Sequence, residues 1–266
     1  MEYRKLYAKG GNTMLSQTAK DLFAKLNMEY QPVAVKFCYL KPEGTEQAEE
    51  VLSFCQFLKK AQVENRKFYI TKDNDNCSGK MTLGMVPKDS YEISGLVGAE
   101  LGVFRNPSAN VRLHNSYPVI NPGTVRYVVF CPVALCDFEP DLVICVAELE
   151  QADVIMRATS YISGDLWECR TSHVVSCAWT YAYPFLSGKV NFCITGMHHG
   201  MRRRKVYPAG RMIISIPYQK LDEVVTALGE MEWVPLGFRD DDESRAALKG
   251  KLDALKDRAE AETAND

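Results

Sequence analysis

The sequence predicts an α+β fold in which two similar strand–helix–strand lobes, produced by an internal duplication, pack as one compact domain. Three observations predict this fold. Apolar runs typical of strands alternate with stretches of helical periodicity. The order of these elements in the first half of the chain recurs in the second half. The last strand of each half also has one form, Arg, five residues and Pro, at residues 126–132 and 211–217.

Each lobe is expected to begin with a strand rich in Val and Ile, because branched side chains pack well on a pleated surface. The first lobe then contains a strand at 32–37, a helix through 48–61, a strand around 68–71, a helix beginning near Ser94 and a strand at 126–132. The second lobe contains a strand at 141–146, a helix at 152–161, a strand near 166–168 and a strand at 211–217.

The predicted domain covers residues 14–237, with lobes at about 14–138 and 139–237. Residues 1–13 form a leader. Its Lys-Gly-Gly segment resembles a translated ribosome-binding site, which suggests Met14 as the native start. The alternative is a leader that is translated and held by few contacts. Residues 238–266 are expected to form a polar terminal helix and tail, because three leucines recur there at helical spacing.

Composition excludes several classes of protein. Lys and Arg total 32 against 34 for Asp and Glu, so the net charge of −2 gives no broad basic surface for nucleic acid. The longest apolar stretch, residues 127–136, contains Pro132 and is shorter than the roughly 20 residues that cross a bilayer. With no secretory signal pattern, a cytoplasmic location is expected. Motifs for dinucleotide binding, NTP hydrolysis and common hydrolases do not occur, so no reaction is assigned.

Nine cysteines are present, and disulfides are not expected in a reducing cytoplasm. Cys38, Cys131 and Cys145 lie in or beside apolar runs, where a thiol packs as a small hydrophobic group. Cys77 lies instead in a polar Asp/Asn/Gly segment, and Cys177 joins a polar stretch to an aromatic one. If the duplication is real, equivalent loops meet near a two-fold axis. Cys77 and Cys177 are then expected to approach each other.

Several segments together resemble the family called domain of unknown function 169. They are Pro32-Val-Ala-Val-Lys-Phe, Phe54-Cys55, Asp75-Asn-Cys77-Ser-Gly, Ser176-Cys177 with Pro184, and Gly188-Lys-Val-Asn. The resemblance spans about Leu15 to Gly237. It implies recurring cysteines, in a family common in anaerobic bacteria and archaea that has no assigned reaction. Cys55, Cys77 and Cys177 match that pattern, and Cys193 is the nearest thiol to a further family cysteine.

Cys55, Cys77, Cys177 and Cys193 are therefore the candidate metal ligands. Four thiolates suit an iron–sulfur cluster, because soft sulfur ligands stabilise it. Three thiolates would leave one iron open to a substrate. Zinc is the alternative metal, since tetrahedral zinc sites use the same ligands. A metal-free reactive thiol at Cys77, or four thiols that only pack in the core, are the remaining alternatives.

The segment 196–205 combines glycines, histidines and arginines. His198, His199, Arg202 and Arg203 are candidates for binding an anionic cofactor or substrate, because Arg grips carboxylate or phosphate in bidentate fashion and His exchanges protons near neutral pH. A solvated basic turn is the alternative. The isolated histidines His114 and His173 are expected to have structural roles.

Two functions follow from these residues. The first is an iron–sulfur protein with redox or sulfur chemistry on a small anion, exchanging electrons with a redox partner protein. The second is a non-enzymatic module that binds a small anion while its cysteines only pack. Loss of anion-induced stabilisation on replacing Cys77 would argue against the second function.

Overall fold

The computed structural model describes residues 15–263 of the chain. The prediction of a leader before Met14 falls outside these residues. The helices are α1 (Gln17–Lys25), α2 (Phe54–Glu64), α3 (Gly79–Thr82), α4 (Ser90–Ile93), α5 (Leu96–Glu100), α6 (Pro107–Ser116), α7 (Leu149–Ala158), α8 (Tyr183–Ser187), α9 (His199–Arg203), α10 (Tyr218–Glu230) and α11 (Asp242–Thr263). A π-helix at Ala178–Ala182 runs directly into α8.

Side-chain caps fix where several helices begin. Ser16 accepts a hydrogen bond from Ala19 N at 3.2 Å before α1, and Asn106 accepts one from Ala109 N at 2.9 Å before α6. Such caps satisfy backbone donors that have no partner within the helix. Pro107 occupies the first turn of α6, where a missing N–H costs nothing.

Six strands form one antiparallel sheet in the order β2-β3-β1-β4-β6-β5. They are β1 (Tyr30–Cys38), β2 (Phe68–Ile70), β3 (Tyr127–Pro132), β4 (Leu142–Ala147), β5 (Asn191–Ile194) and β6 (Met212–Pro217). Every residue of the central strand β4 is buried, which explains its unbroken apolar run. The register between β1 and β4 shifts at Pro32, which cannot donate a ladder hydrogen bond.

The sheet and its helices confirm the predicted α+β class. The strand order reads the same from either end when β1, β2 and β3 are exchanged for β4, β5 and β6. Helices α2 and α7 likewise follow the two central strands, β1 and β4. The internal duplication stays a prediction, although this strand order agrees with it. The two predicted lobes are halves of one continuous sheet.

One predicted strand is wrong. Residues 166–168 form no strand, and the Leu166 side chain is 90% exposed. The short apolar run there has no neighbouring strand to pair with, and Gly164 at φ +69° turns the backbone just before it. The equivalent position in the sheet is filled by β5, whose residues Asn191–Ile194 pair with β6.

The chain divides into two compact units, the first ending at Gly229 and the second running from Glu230 to the C-terminus. This boundary lies before the predicted one at residue 237. The second unit contains α11, whose Lys256–Glu260 and Arg258–Glu262 pairs have the i,i+4 spacing that supports an exposed helix. Among residues 15–263, no helix combines the length and apolar character needed to cross a bilayer.

Gly84 closes the turn after α3, at a position where any larger residue would be strained. Its φ is +71°, and a Cβ there would lie 2.5 Å from the Asn121 carbonyl oxygen. We expect Gly84→Ala to lower the free energy of unfolding by about 2–4 kcal/mol, the sum of left-handed strain and a backbone clash. Urea denaturation measures this loss.

Gly44→Ala is the matched control, because Gly44 also has a positive φ of +60° but a Cβ there meets nothing within 4 Å. Its expected loss is only the strain, about 1 kcal/mol. Equal losses for the two variants would mean that the close approach to Asn121 is not a constraint.

Candidate functional site

A cavity of about 610 Å³ opens beside the N-terminus of α2. Its walls come from α2, the segment around Cys77, residues 174–177, α9, and the small helices α4 to α6. Three of the predicted cysteines, Cys55, Cys77 and Cys177, line this cavity. A concave site of this size accommodates a small molecule or cofactor.

Cys55 is placed at the cavity by the first turn of α2. Ser53 precedes the helix, and its backbone N–H donates to Gln56 Oε1 at 3.1 Å, which fixes the entry of the chain. The Ser53 hydroxyl lies 3.1 Å from Cys55 Sγ. Burial raises the pKa of the Cys55 thiol, and the contact with Ser53 opposes that shift.

Backbone pairing brings Cys77 close to the start of α2. Leu52 N donates to Asn74 O at 2.9 Å, and Asn76 N donates to Leu52 O at 3.2 Å. These bonds align the residues just before Cys55 with those just before Cys77. Two cysteines that are distant in sequence therefore share one wall of the cavity.

Asp75 organises the turn that carries Cys77. Its carboxylate accepts hydrogen bonds from Cys77 N at 3.2 Å and from Lys80 N at 2.8 Å. Lys80 Nζ also donates to the Asp75 carbonyl oxygen at 3.0 Å. Asp75 is only 2% exposed, and burial raises its pKa to about 7 despite these donors. This arrangement fixes the backbone at Cys77.

Cys177 lies directly before the π-helix. The hydroxyl of Tyr181, one turn further on, donates a hydrogen bond to Phe54 O at 3.4 Å, which connects the π-helix to α2. Val175, two residues before Cys177, has a φ of +53°, which is unusual for a β-branched side chain. π-Helical turns and strained residues concentrate at functional sites.

Electrostatics show that the three thiols share one environment. Burial is the main cause that raises the pKa of Cys177, and negative charge on Cys77 or Cys55 would raise it further. The Arg204 guanidinium acts in the opposite direction on the pKa values of Cys55, Asp75 and Cys177. A bound cation or cluster would relieve the cost of ionising these thiols.

Cys193 is not brought to the cavity. It lies in β5 opposite Ile213, is 2% exposed, and belongs to the hydrophobic core. Its Sγ is 3.7 Å from Thr180 Oγ1. Burial raises its pKa to about 12, as expected for a packed thiol. The structure therefore groups three of the four predicted ligands.

The basic segment divides in a similar way. His199 and Arg203 line the cavity, whereas His198 and Arg202 do not. Arg202 is exposed to solvent. His198 is 1% exposed, and its Nε2 lies 3.1 Å from Thr171 Oγ1. Successive residues of a helix such as α9 point in directions about 100° apart around its axis, so neighbouring residues of this segment meet different surroundings.

Several residues at the cavity were missed by the sequence prediction, among them Arg204, Glu92 and His114. Arg204 adjoins the predicted arginines and acts electrostatically on the thiols. Glu92 and His114 come from α4 and α6 and line another part of the cavity. His114 has no sequence signal of function, because only packing of α6 against α4 brings it there.

His198 makes folding stability depend on pH. Burial lowers its pKa to about 4 from 6.5, so in this range the unfolded chain binds more protons than the folded one. Stability from this group is therefore present above pH 6.5 and lost as the pH falls towards 4. Between pH 8 and pH 5 we expect a loss of about 2 kcal/mol, absent in His198→Gln.

Urea denaturation of both proteins at several pH values measures this difference. His199→Gln is the control, because His199 is exposed and this variant is expected to follow the wild type. Parallel pH profiles for wild type and His198→Gln would contradict the assignment.

Among residues 15–263, no group of three or more His, Cys, Asp or Glu side chains is arranged to hold a metal ion. All nine cysteines are free thiols. Cys131 and Cys136 lie together at the end of β3, where each Sγ donates to a backbone carbonyl oxygen at 3.4 and 3.2 Å, respectively. That pair lies outside the cavity lining.

Sequence comparison places these features in a family. The sequence model of domain of unknown function 169 (DUF169), described as uncharacterised ArCR, matches residues 21–227. The chain belongs to this family. In this DUF169 member the match includes every residue that lines the cavity, from Ser53 to Arg204.

A relative has been found in an archaeon. An uncharacterized protein of Methanocaldococcus jannaschii is 24% identical over 220 residues, which cover 80% of this chain and 93% of the relative. No solved structure matches the chain. The likeness between this DUF169 chain and the archaeal protein therefore extends over nearly the whole of the relative.

Proposed function

We propose that this protein binds an iron–sulfur cluster through Cys55, Cys77 and Cys177, and that the cluster acts on a small anionic ligand in the cavity. The observation that supports the proposal is the convergence of three cysteines, from three separate segments, on one cavity. Three thiolates on a four-iron cluster leave one iron for a ligand.

The donor chemistry fits such a group. Thiolates are the usual ligands of iron–sulfur clusters, and metal binding releases the protons of buried thiols. Burial raises the pKa values of Cys55 and Cys177, so without a metal both are protonated and poor nucleophiles. The metal-free alternative therefore concerns Cys77, the thiol that the sequence analysis singled out as reactive.

A cluster and a single zinc ion place different demands on the three cysteines. A single zinc ion requires its ligands to converge on one atom, whereas each thiolate of a cluster binds a different iron. Zinc bound by cysteines remains the alternative metal.

The cationic lining favours an anionic ligand. Lys80, Arg203 and Arg204 line the cavity with the cysteines, and His199 adds an imidazole ring with hydrogen-bonding nitrogens. When bound, the cluster would supply one-electron redox chemistry and an open iron. The residues of this chain would bind and orient the anion. Electrons would be exchanged with a redox partner protein, in a reducing compartment such as the cytoplasm.

Anaerobic purification tests the proposal directly. We expect a brown protein with about four iron atoms and matching acid-labile sulfide per chain. Elemental analysis of the same sample distinguishes iron from zinc. Anaerobically reconstituted protein without iron and sulfide would overturn the proposal.

A second candidate function is a non-enzymatic module that binds a small anion. The arginines at the cavity favour it independently of any metal. Its signature is a rise in melting temperature with an added anion such as phosphate. In this case Cys77→Ser would leave the rise unchanged, and a variant that no longer responds would argue against it.

A further inference from the structure

The cavity has a second polar region, which we call the acid end, formed by Asp89, Glu92 and His114. Asp89 caps α4 by accepting a hydrogen bond from Glu92 N at 2.8 Å. His114 comes from α6, and its side chain is only 8% exposed. All three residues line the same cavity as the cysteines.

The Glu92 carboxylate lacks a strong partner within the protein. Among residues 15–263, its one ion-pair contact within 4 Å is His114 Nε2, at 3.7 Å. Burial lowers the pKa of His114, so the imidazole is neutral at pH 7 and offers little charge. Burial also raises the pKa of Glu92, which shows that its carboxylate is poorly solvated.

Lys88 is not the missing cationic partner of Glu92. Its ammonium donates to the His114 carbonyl oxygen at 2.5 Å and lies 4.0 Å from the centre of the Tyr117 ring. The Lys88 charge acts on Glu92 only from beyond ion-pair distance. A desolvated carboxylate is therefore left facing the cavity with room for a cationic donor.

Positively charged side chains lie near the cysteines, in the part of the cavity that we call the thiol end. Lys80, Arg203 and Arg204 line the cavity there, and within the described residues none of the three forms an ion pair. The charges that act on Glu92 are those of Asp89 and Lys88, whereas Arg204 acts on Cys55 and Cys177. Cationic and anionic groups are therefore sorted to different parts of one cavity.

We infer that the natural ligand is zwitterionic, with an anionic group bound at Arg203 and Arg204 and a protonated amine bound by Glu92. A ligand with both groups satisfies unpaired charge at both ends, whereas a simple anion leaves Glu92 desolvated and without a cationic partner. The inference rests on the proposed function in one respect, the binding of the anionic group at the thiol end.

Linear probes of equal length test the charge sorting. Isothermal titration uses 5-aminopentanoate, pentanoate, pentanedioate and 1,5-diaminopentane, together with the series one carbon shorter and one carbon longer. We expect the amino acid of the best length to bind about tenfold more tightly than the matching monoanion, as one desolvated ion pair provides. The dianion and the diamine are expected to bind more weakly than the amino acid.

Glu92→Gln should abolish this preference, because the amide has no charge to pair with the amine. Glu100→Gln is the matched control, since Glu100 is exposed on α5 and does not line the cavity. The inference is overturned if no amino acid of the series binds, if the dianions bind as tightly, or if Glu92→Gln retains the preference.

Iron and acid-labile sulfide are measured on the same samples. Protein that holds iron but shows no preference for the amino acids overturns the charge-sorting inference and leaves the cluster proposal intact. Protein that prefers the amino acids but holds no iron overturns the cluster proposal alone. The two outcomes are read from separate measurements on one preparation.

Discussion

Replacing Cys77 by Ser is expected to lower the iron content after anaerobic reconstitution by about tenfold or more, because a hydroxyl is a poor cluster ligand. Cys77 is the best of the three cysteines to change. It is partly exposed, whereas Cys55 and Cys177 are 7% and 8% exposed, so its replacement disturbs packing least. Iron and sulfide analysis, with visible absorbance, measures the loss.

Cys193→Ser is the matched control for this prediction. Cys193 is also one of the four predicted ligands, but its side chain packs in the core beside Thr180. We expect this variant to keep its iron and to lose some stability. The cluster proposal would be untenable if Cys77→Ser bound as much iron as the wild type, or if Cys193→Ser lost it all.

Folding must be checked separately from metal content. Circular dichroism of both variants without iron shows whether the fold is kept. Ser at position 77 preserves the backbone donor to Asp75, so the turn that Asp75 organises is expected to remain. A Cys77→Ser protein that is folded but free of iron separates loss of a ligand from loss of structure.

The strands at the centre of the sheet were predictable from the sequence because their apolar runs are long. Residues 141–146 predict a buried strand, and Leu142–Ala147 is buried throughout. The error at residues 166–168 has a different cause, because a three-residue run carries no information about a partner strand. Only the pairing with β6 distinguishes Asn191–Ile194 as the edge strand.

The candidate site was partly predictable for a chemical reason. A thiol in a polar loop, as at Cys77, is unusual enough to indicate a role, and the loop that holds it proves to line the cavity. Cys193 was chosen as the nearest thiol to a further family cysteine, a choice that carries no information about which face of a strand its side chain occupies. In β5 it faces the core, since strand side chains alternate between the two faces.

Other site residues carry no local signal. Glu92 and His114 lie on short helices that contain ordinary polar residues, and their meeting depends on contacts between α4 and α6. Arg204 differs from Arg202 only by half a turn of backbone, yet one lines the cavity and the other is exposed. Such differences arise from tertiary packing, which a single sequence does not encode in any short pattern.

Phe130 joins the sheet to the two elements that present Cys55 and Cys177. Its ring is fully buried in β3, with centroids 6.2 Å from Phe54 of α2 and 6.4 Å from Tyr181 of the π-helix. Phe57 and Phe68 lie 6.3 and 5.7 Å away. Aromatic pairs at these separations stabilise a core beyond the area that they bury.

We expect Phe130→Ala to lower the free energy of unfolding by about 3–5 kcal/mol, because it removes buried apolar area and leaves a cavity between β3 and α2. Phe130→Leu retains most of the apolar volume and should lose less. Phe238→Ala is the matched control at a 60% exposed phenylalanine, with an expected change within about 0.5 kcal/mol. Urea denaturation compares the three variants, and equal losses for Phe130→Ala and Phe238→Ala would show that this ring does not hold the cysteine-bearing elements to the sheet.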